Sequence, residues 1–153
     1  MLTHIEPVKG WHVAELAPKL RQEDKDEIWA MEATDPFTGL AHSVALSHVS
    51  YSIMEGASPV AIYGARKLTD DLGLVWLLAS SDLPRHPIQF LRRSREYIDA
   101  LHDEVGCRTL YNFTDKRNTL HHKWLSWTGF TFGDEVQLGP FNMPFYEVSR
   151  TKG

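Results

Sequence analysis

Apolar positions along the chain switch between two spacings, and the switches mark its elements. Residues 3–8 alternate and predict a short first strand, ended by Lys9-Gly10. Residues 12–20 carry Val13, Leu16, Ala17 and Leu20 at helical spacing, with Pro18 predicting a break or a short first helix. Residues 22–33 form a second helical stretch. Its acids Glu23, Asp24, Asp26 and Glu27 gather near the start, where the helix dipole favours negative charge. Asp35-Pro36-Phe37-Thr38-Gly39 reads as a turn. Residues 40–54 place Leu40, Val44, Val49 and Ile53 along one side and predict a third helix, ended by Gly56.

The spacing then becomes strand-like. Residues 59–67 and 72–80 are rich in branched and aromatic side chains, and Thr69-Asp70-Asp71 between them predicts an antiparallel hairpin. Leu74-Val75-Trp76-Leu77-Leu78 is apolar at successive positions, so this strand should be covered on both faces. Residues 87–105 give the clearest helix. Pro87 suits its first turn, Ile88, Leu91, Ile98, Leu101 and Val105 recur near the 3.6 period, and Gly106 stops it. Residues 107–113 predict a strand. Asn118 opens a last helix with Leu120, Trp124 and Trp127, closed by Gly129, and residues 130–138 and 145–150 predict two further strands. A buried strand, a long helix and another strand make a βαβ crossover, for which parallel pairing is the geometric expectation. The fold class is therefore α/β (α+β), with a mixed, mostly antiparallel sheet, one central parallel crossover and helices on both faces. The length suits a single domain, 1–153, with 1–56 mainly helical and 57–150 a sheet with two helices.

Composition narrows the functional classes. Apolar residues at 42% and charged residues at 24% exclude a disordered or collagenous chain. The single cysteine, Cys107, excludes an internal disulfide framework and a cysteine-rich zinc site, and its predicted place in a buried strand makes it inert. Sixteen basic against twenty acidic residues give no excess for non-specific nucleic-acid binding, although Arg92, Arg93 and Arg95 could meet a phosphate. The longest apolar run, residues 74–79, is far short of a membrane span, and no signal peptide is expected from the first residues. His121 and His122 are adjacent. Neighbours on a helix point about 100° apart and share a metal poorly, so no metal site is expected.

The element order and one local pattern resemble the GNAT superfamily of N-acetyltransferases. The pattern is Asn118 at the start of the last helix with Gly129-Phe130 just after its end. Asn can cap the helix, Gly supplies a left-handed cap and Phe pins the next strand. A closer resemblance is to a GNAT-like family of short-tailed bacteriophages, described as internal virion proteins or acetyltransferases. It is carried by Arg21-Gln22-Glu23-Asp24, Glu27-Ile28-Trp29-Ala30, Pro59 through Gly64, Val75 through Ser80, and Thr114 through Phe130.

The resemblance implies an acyl-CoA site. Pyrophosphate would meet backbone amides between the buried strand and the long helix, and pantetheine would enter between splayed strands. A base and an acid would serve the amine and the thiolate. It places Leu77, Ala79, Arg85, His86 and Asn118 near the cofactor. Two departures stand out. The loop Ser80-Ser81-Asp82-Leu83-Pro84-Arg85-His86-Pro87 lacks the family's glycines, its prolines remove amides, and Asp82 repels phosphate. Arg85 and His86 either replace those donors or are solvated loop residues. Leu125 stands where the family often has a tyrosine acid. Glu135, Asp134, His121 and His122 are base candidates or surface groups, and Glu55 with Glu23, Asp24, Asp26 and Glu27 reads as a solvated helix face. No catalytic residue is assigned.

Two functions follow from the resemblance. The departures favour a phage virion-associated or assembly protein with a degenerate acyl-CoA site and no cofactor, acting through a phage structural or host protein, in the virion or the host cytoplasm. Trp11, Trp29, Phe141 and Phe145 are candidates for its partner surface, or are core. The alternative is an active acetyl-CoA-dependent N-acetyltransferase modifying a host or phage protein.

Overall fold

The computed structural model describes residues 4–83 and 87–152. Strand β1 (His4–Pro7) leads to α1 (Gly10–Leu16), a 3-10 turn (Ala17–Lys19), α2 (Gln22–Glu32) and α3 (Pro36–Leu46). Strands β2 (Val49–Glu55), β3 (Ser58–Lys67) and β4 (Leu72–Ala79) follow, then α4 (Pro87–Val105), β5 (Thr109–Asp115), α5 (Thr119–Trp127), β6 (Thr131–Leu138) and β7 (Met143–Thr151). They form one seven-stranded sheet in the order β1-β2-β3-β4-β5-β7-β6. Every pairing is antiparallel except β4–β5, the expected crossover.

The two faces are covered by different helices. Ile98, Leu101 and Val105 of α4 pack with Tyr63, Ala65, Val75, Leu77 and Leu110. On the other face Val13, Leu16, Ile28 and Leu40 pack with Ile62 and Leu78. Alternation along β3 and β4 sorts their side chains between these cores. Gly39 lets α3 lie directly on α2, since a Cβ there would sit 2.5 Å from Ile28 Cγ2. The turn between β6 and β7 rests on α2 as well. Phe141 stacks on Trp29 with centroids 5.7 Å apart, and a side chain at Gly139 would overlap the Ala30 carbonyl.

The structure corrects the third helix. Instead of one helix over 40–54, α3 ends at Leu46 and β2 begins at Val49. Asp35-Pro36 is the start of α3 rather than a turn: Asp35 Oδ2 accepts the Thr38 N–H at 3.1 Å and Pro36 takes the first turn. At the other end Ser47 is already extended. Val49, Tyr51 and Ile53 then alternate with Ser50 and Ser52, a period of two that the coarser spacing of 40–54 concealed. The first 56 residues thus supply two strands, β1 and β2, to the same sheet as the rest. Cys107 is buried but lies in the turn before β5.

Candidate functional site

The site lies where β4 and β5 part. Their parallel ladder runs from Leu72↔Thr109 to Leu74↔Tyr111 and stops. Asn112 occupies the next step. Its Nδ2 donates to the Val75 carbonyl at 2.6 Å, and its Oδ1 accepts the Phe113 N–H at 2.7 Å. One side chain thus satisfies a backbone group on each strand, which removes the reason for the strands to close.

Beyond Asn112 the edge of β4 faces the gap. Backbone groups in an antiparallel ladder point alternately to either side. Ser80 N–H donates to Val60 O at 2.8 Å, so Leu78 and Trp76 face β3, while Val75, Leu77 and Ala79 face β5. Ala79 is already occupied. Its N–H donates to Asp24 Oδ2 at 2.9 Å, and its carbonyl accepts the Arg21 N–H at 2.9 Å. Leu20 bridges Ser80 beside it, so residues 20–21 lie along the end of β4 like an added strand. Among the described residues, Leu77 keeps its N–H and C=O unpaired on this edge.

Asp24 belongs to a buried network. Arg21 donates from one Nη to Asp24 Oδ1 at 2.9 Å and to Asn118 Oδ1 at 2.6 Å, and Asn118 Nδ2 donates to Asp24 Oδ1 at 3.0 Å. All three are nearly inaccessible, with Asp24 at 0% exposure. The network ties the start of α2 to the start of α5 and the end of β4. Asn118 stands at the N-terminal cap of α5, as its spacing predicts, but its side chain makes no cap bond. Gly129 takes the expected left-handed conformation at φ 96°, and Phe130 is core.

Two cavities flank the gap. One, of about 360 Å³, lies under α2 and α3 and is walled by Trp76, Tyr111 and Phe113 with Glu27, Glu32 and Arg66. The other, of about 370 Å³, lies between β4, α4 and α5, walled by Ala79, Leu83, Phe90, Leu120 and Trp127 with Lys123. Leu77, His121 and Trp124 line both. The cofactor candidates are therefore scattered. Leu77 is in the gap, Ala79 lines the second cavity, Asn118 lines neither, and Arg85 and His86 lie outside the described residues. Leu125 lines the first cavity, where it has no proton to give.

The titratable groups differ from the sequence expectation. Asp24 and Glu27 are not a solvated face. Glu27 Oε1 accepts the Asp115 N–H at 2.5 Å and the Thr114 hydroxyl at 3.4 Å. Burial, with the charges of Asp24 and Asp115, pushes its pKa up to about 8. Burial pushes His121 down to about 4, so it is neutral across the physiological range, and its ring meets the Trp124 edge at 5.5 Å. His122 Nε2 donates to the Asp115 carbonyl at 2.9 Å, and burial lowers its pKa too. Glu135 is exposed and paired with Lys116 at 2.7 Å, and Asp134 is exposed. Arg21, Glu27 and Asn112 are the site residues that sequence spacing missed. The one available signal was Arg21, Asp24 and Glu27 at three-residue steps, a face that continues with apolar Ile28 and Met31. Among the described residues no cluster of ligating side chains could hold a metal, and no helix is long and apolar enough to cross a membrane.

No family model and no curated protein matches the chain in sequence. Solved structures do match it over nearly its whole length. The GNAT domain of S. lividans PAT superposes with TM-score 0.70 at 15% identity, over 97% of this chain and 89% of that one. An acetyltransferase of the GNAT family from Streptococcus pneumoniae gives 0.69 at 12% identity, over 98% and 99%. AAC(6')-Ib in complex with ribostamycin and coenzyme A gives 0.69 at 15% identity, over 97% and 92%. With its parallel crossover and parted strands, the chain has the fold of the GNAT acetyltransferases.

Proposed function

We propose that this chain acts by binding rather than by acyl transfer, on a GNAT scaffold whose coenzyme edge is closed from within. The observation that carries this reading is the occupation of β4. Val75 O is taken by Asn112, both backbone groups of Ala79 are taken by Arg21 and Asp24, and among the described residues Leu77 alone faces the gap unpaired. An extended thioester arm needs a run of free donors and acceptors along that edge, and one residue offers a single pair. The buried Leu125 and the glycine-free loop after β4 agree with it. The resemblance to phage virion proteins supplies the setting, an interaction role in a particle or its assembly. Calorimetric titration with acetyl-CoA tests the closed edge. The expected result is no heat and no change in melting temperature at millimolar ligand. A Kd of ~10 µM would instead add about 2.7 kcal/mol at hundredfold excess and overturn it. Absence of the protein from both purified particles and assembly intermediates would overturn the virion setting.

A second reading, the active acetyltransferase, is favoured by the meeting of the two cavities at Leu77, His121 and Trp124. A thioester carbonyl in the gap would find the Leu77 N–H as its oxyanion donor, and Glu27, poised near neutrality, would take the amine's proton. Release of thiol from acetyl-CoA that depends on an added amine, and falls in Glu27→Gln, is the result that would establish it.

A further inference from the structure

Five of the ten large apolar side chains exposed among the described residues gather in two places. The first is a knob. Trp29, 55% exposed on α2, stacks on Phe141, 48% exposed on the β6–β7 turn. Asp26 and Glu32 stand one turn before and one turn after Trp29, and α2 as a whole carries five acids and one lysine.

The second place is a groove between α4 and α5, edged by Ile88, Leu120 and Trp127. Its floor is the cavity of about 370 Å³, where Phe90 stacks on Trp124 with centroids 5.8 Å apart. Trp127 closes one end. Its indole N–H donates to Leu91 O at 2.8 Å, and the Arg95 guanidinium lies 4.3 Å from the ring centre. The charge here is opposite to that of the knob. α5 carries no acid and α4 carries none before Glu96, while the same stretches hold Arg92, Arg93, Arg95 and Lys123. Arg92 and Lys123 are exposed and, among the described residues, pair with no carboxylate.

We propose that copies of this chain join head to tail, the Trp29–Phe141 knob of one seated in the α4–α5 groove of the next, with Asp26 and Glu32 opposite Arg92 and Lys123. An aromatic anchor in an apolar cavity supplies the affinity, and the opposed charges set the orientation. Knob and groove belong to helices on opposite faces of the sheet. Trp29 also lies about 12 Å along α2 from Arg21, which lines the cavity, and is held against its own Phe141, so a chain cannot fill its own groove. A contact between two different patches does not end at two copies unless something blocks the next. An extended peptide is a poorer occupant, because it needs backbone partners and the β4 edge beside the groove offers Leu77 alone among the described residues. The proposal rests on the binding reading and gives it a partner, since the cavity is open to the knob only while coenzyme stays out.

Sedimentation velocity on the full chain over a concentration series tests this. A contact of this size belongs with the weak interfaces below ~1,200 Å², with an expected Kd of about 10–100 µM, so the series runs to about 500 µM. The average mass should climb past two copies as concentration rises. Trp29→Ser, which removes the knob, and Lys123→Glu, which reverses a groove charge, should each weaken self-association about tenfold or more with the melting temperature kept. Asp26→Lys replaces Trp29→Ser if that variant folds poorly. Mixed together, the two variants retain one intact knob, on the Lys123→Glu chain, and one intact groove, on the Trp29→Ser chain. The mixture should therefore form a one-to-one pair and stop there. A parent that stays monomeric, a dimer that grows no further, association unchanged in either variant, or a mixture without pairing would overturn the proposal. Acetyl-CoA titrated into the Trp29→Ser chain, whose groove no knob fills, reads the closed edge separately. Heat there overturns the edge reading whatever the sedimentation shows, and its absence leaves the head-to-tail contact to stand or fall on the masses.

Discussion

The two cavities share Leu77, His121 and Trp124 yet are built from opposite chemistry. On the α2–α3 side, carboxylates and ring faces look into the space with their polar groups only partly committed. On the α4–α5 side the walls are mostly apolar apart from Arg21, His121 and Lys123, and Arg21, Asp24, Asn118 and the Ala79 backbone are committed to one another. The contrast is what the proposed closed edge rests on: polar groups left free on the first side and bound to one another on the second.

The largest test of that contrast is Asp24→Ala. It strands the buried Arg21 guanidinium and the Ala79 N–H, and should cost about 3–5 kcal/mol in chemical denaturation. A small loss would mean that the network is not what closes the edge. The paired replacement Arg21→Ala with Asp24→Ala removes both charges. If the closure is what excludes coenzyme, acetyl-CoA binding should appear in this variant by calorimetry.

Asn112→Leu comes next. It leaves Val75 O and Phe113 N–H without their side-chain partners and should cost about 2 kcal/mol. Hydrogen exchange should show the loss concentrated in β4 and β5.

Glu27 sharpens the comparison through pH. Its folded-state pKa, about 8, lies above the ordinary 4.5, so folding favours the protonated form. That contribution is complete below about pH 4.5 and is lost as the pH rises through 8. Glu27→Gln should match the parent in acid and exceed it by about 1 kcal/mol above pH 8, a modest figure because the side chain is partly open to solvent. A parent that is equally stable on both sides of that window would refute the raised pKa. The smallest effect is expected at the edge of the α2–α3 side. A double-mutant cycle on Trp29 and Phe141 should give a coupling of about 0.5–1 kcal/mol.

Much of this architecture was legible in residue spacing. The long helix from Pro87, the apolar β4 and the Asn118-to-Gly129 helix each carry a strong local signal, and together they predict the parallel crossover. The missed strand β2 shows where such reading stops. Its alternating serines and branched residues look helical when joined to Leu40 and Val44, and only pairing with β3 decides between the periods. The site was less legible for a similar reason. Asp24 and Glu27 sit in an acidic run that any exposed helix could carry, and their burial depends on Asn118 and Asp115, more than 80 positions away in the chain. Asn112 is one polar residue in a strand, and nothing local says that its amide crosses to Val75. Leu125 is singled out only through the resemblance, which counts its place from Asn118.

The β6–β7 turn has a practical consequence. Because Gly139 lies against the Ala30 carbonyl, a bulky label attached there would lever α2 outward and deform the roof over Glu27. The β2–β3 turn at Gly56 has nothing within 4 Å of a side chain placed there, though its φ of +61° makes glycine itself worth keeping. A fluorophore or affinity tag belongs on its exposed neighbour Ala57, at the opposite end of the sheet order from β6 and β7.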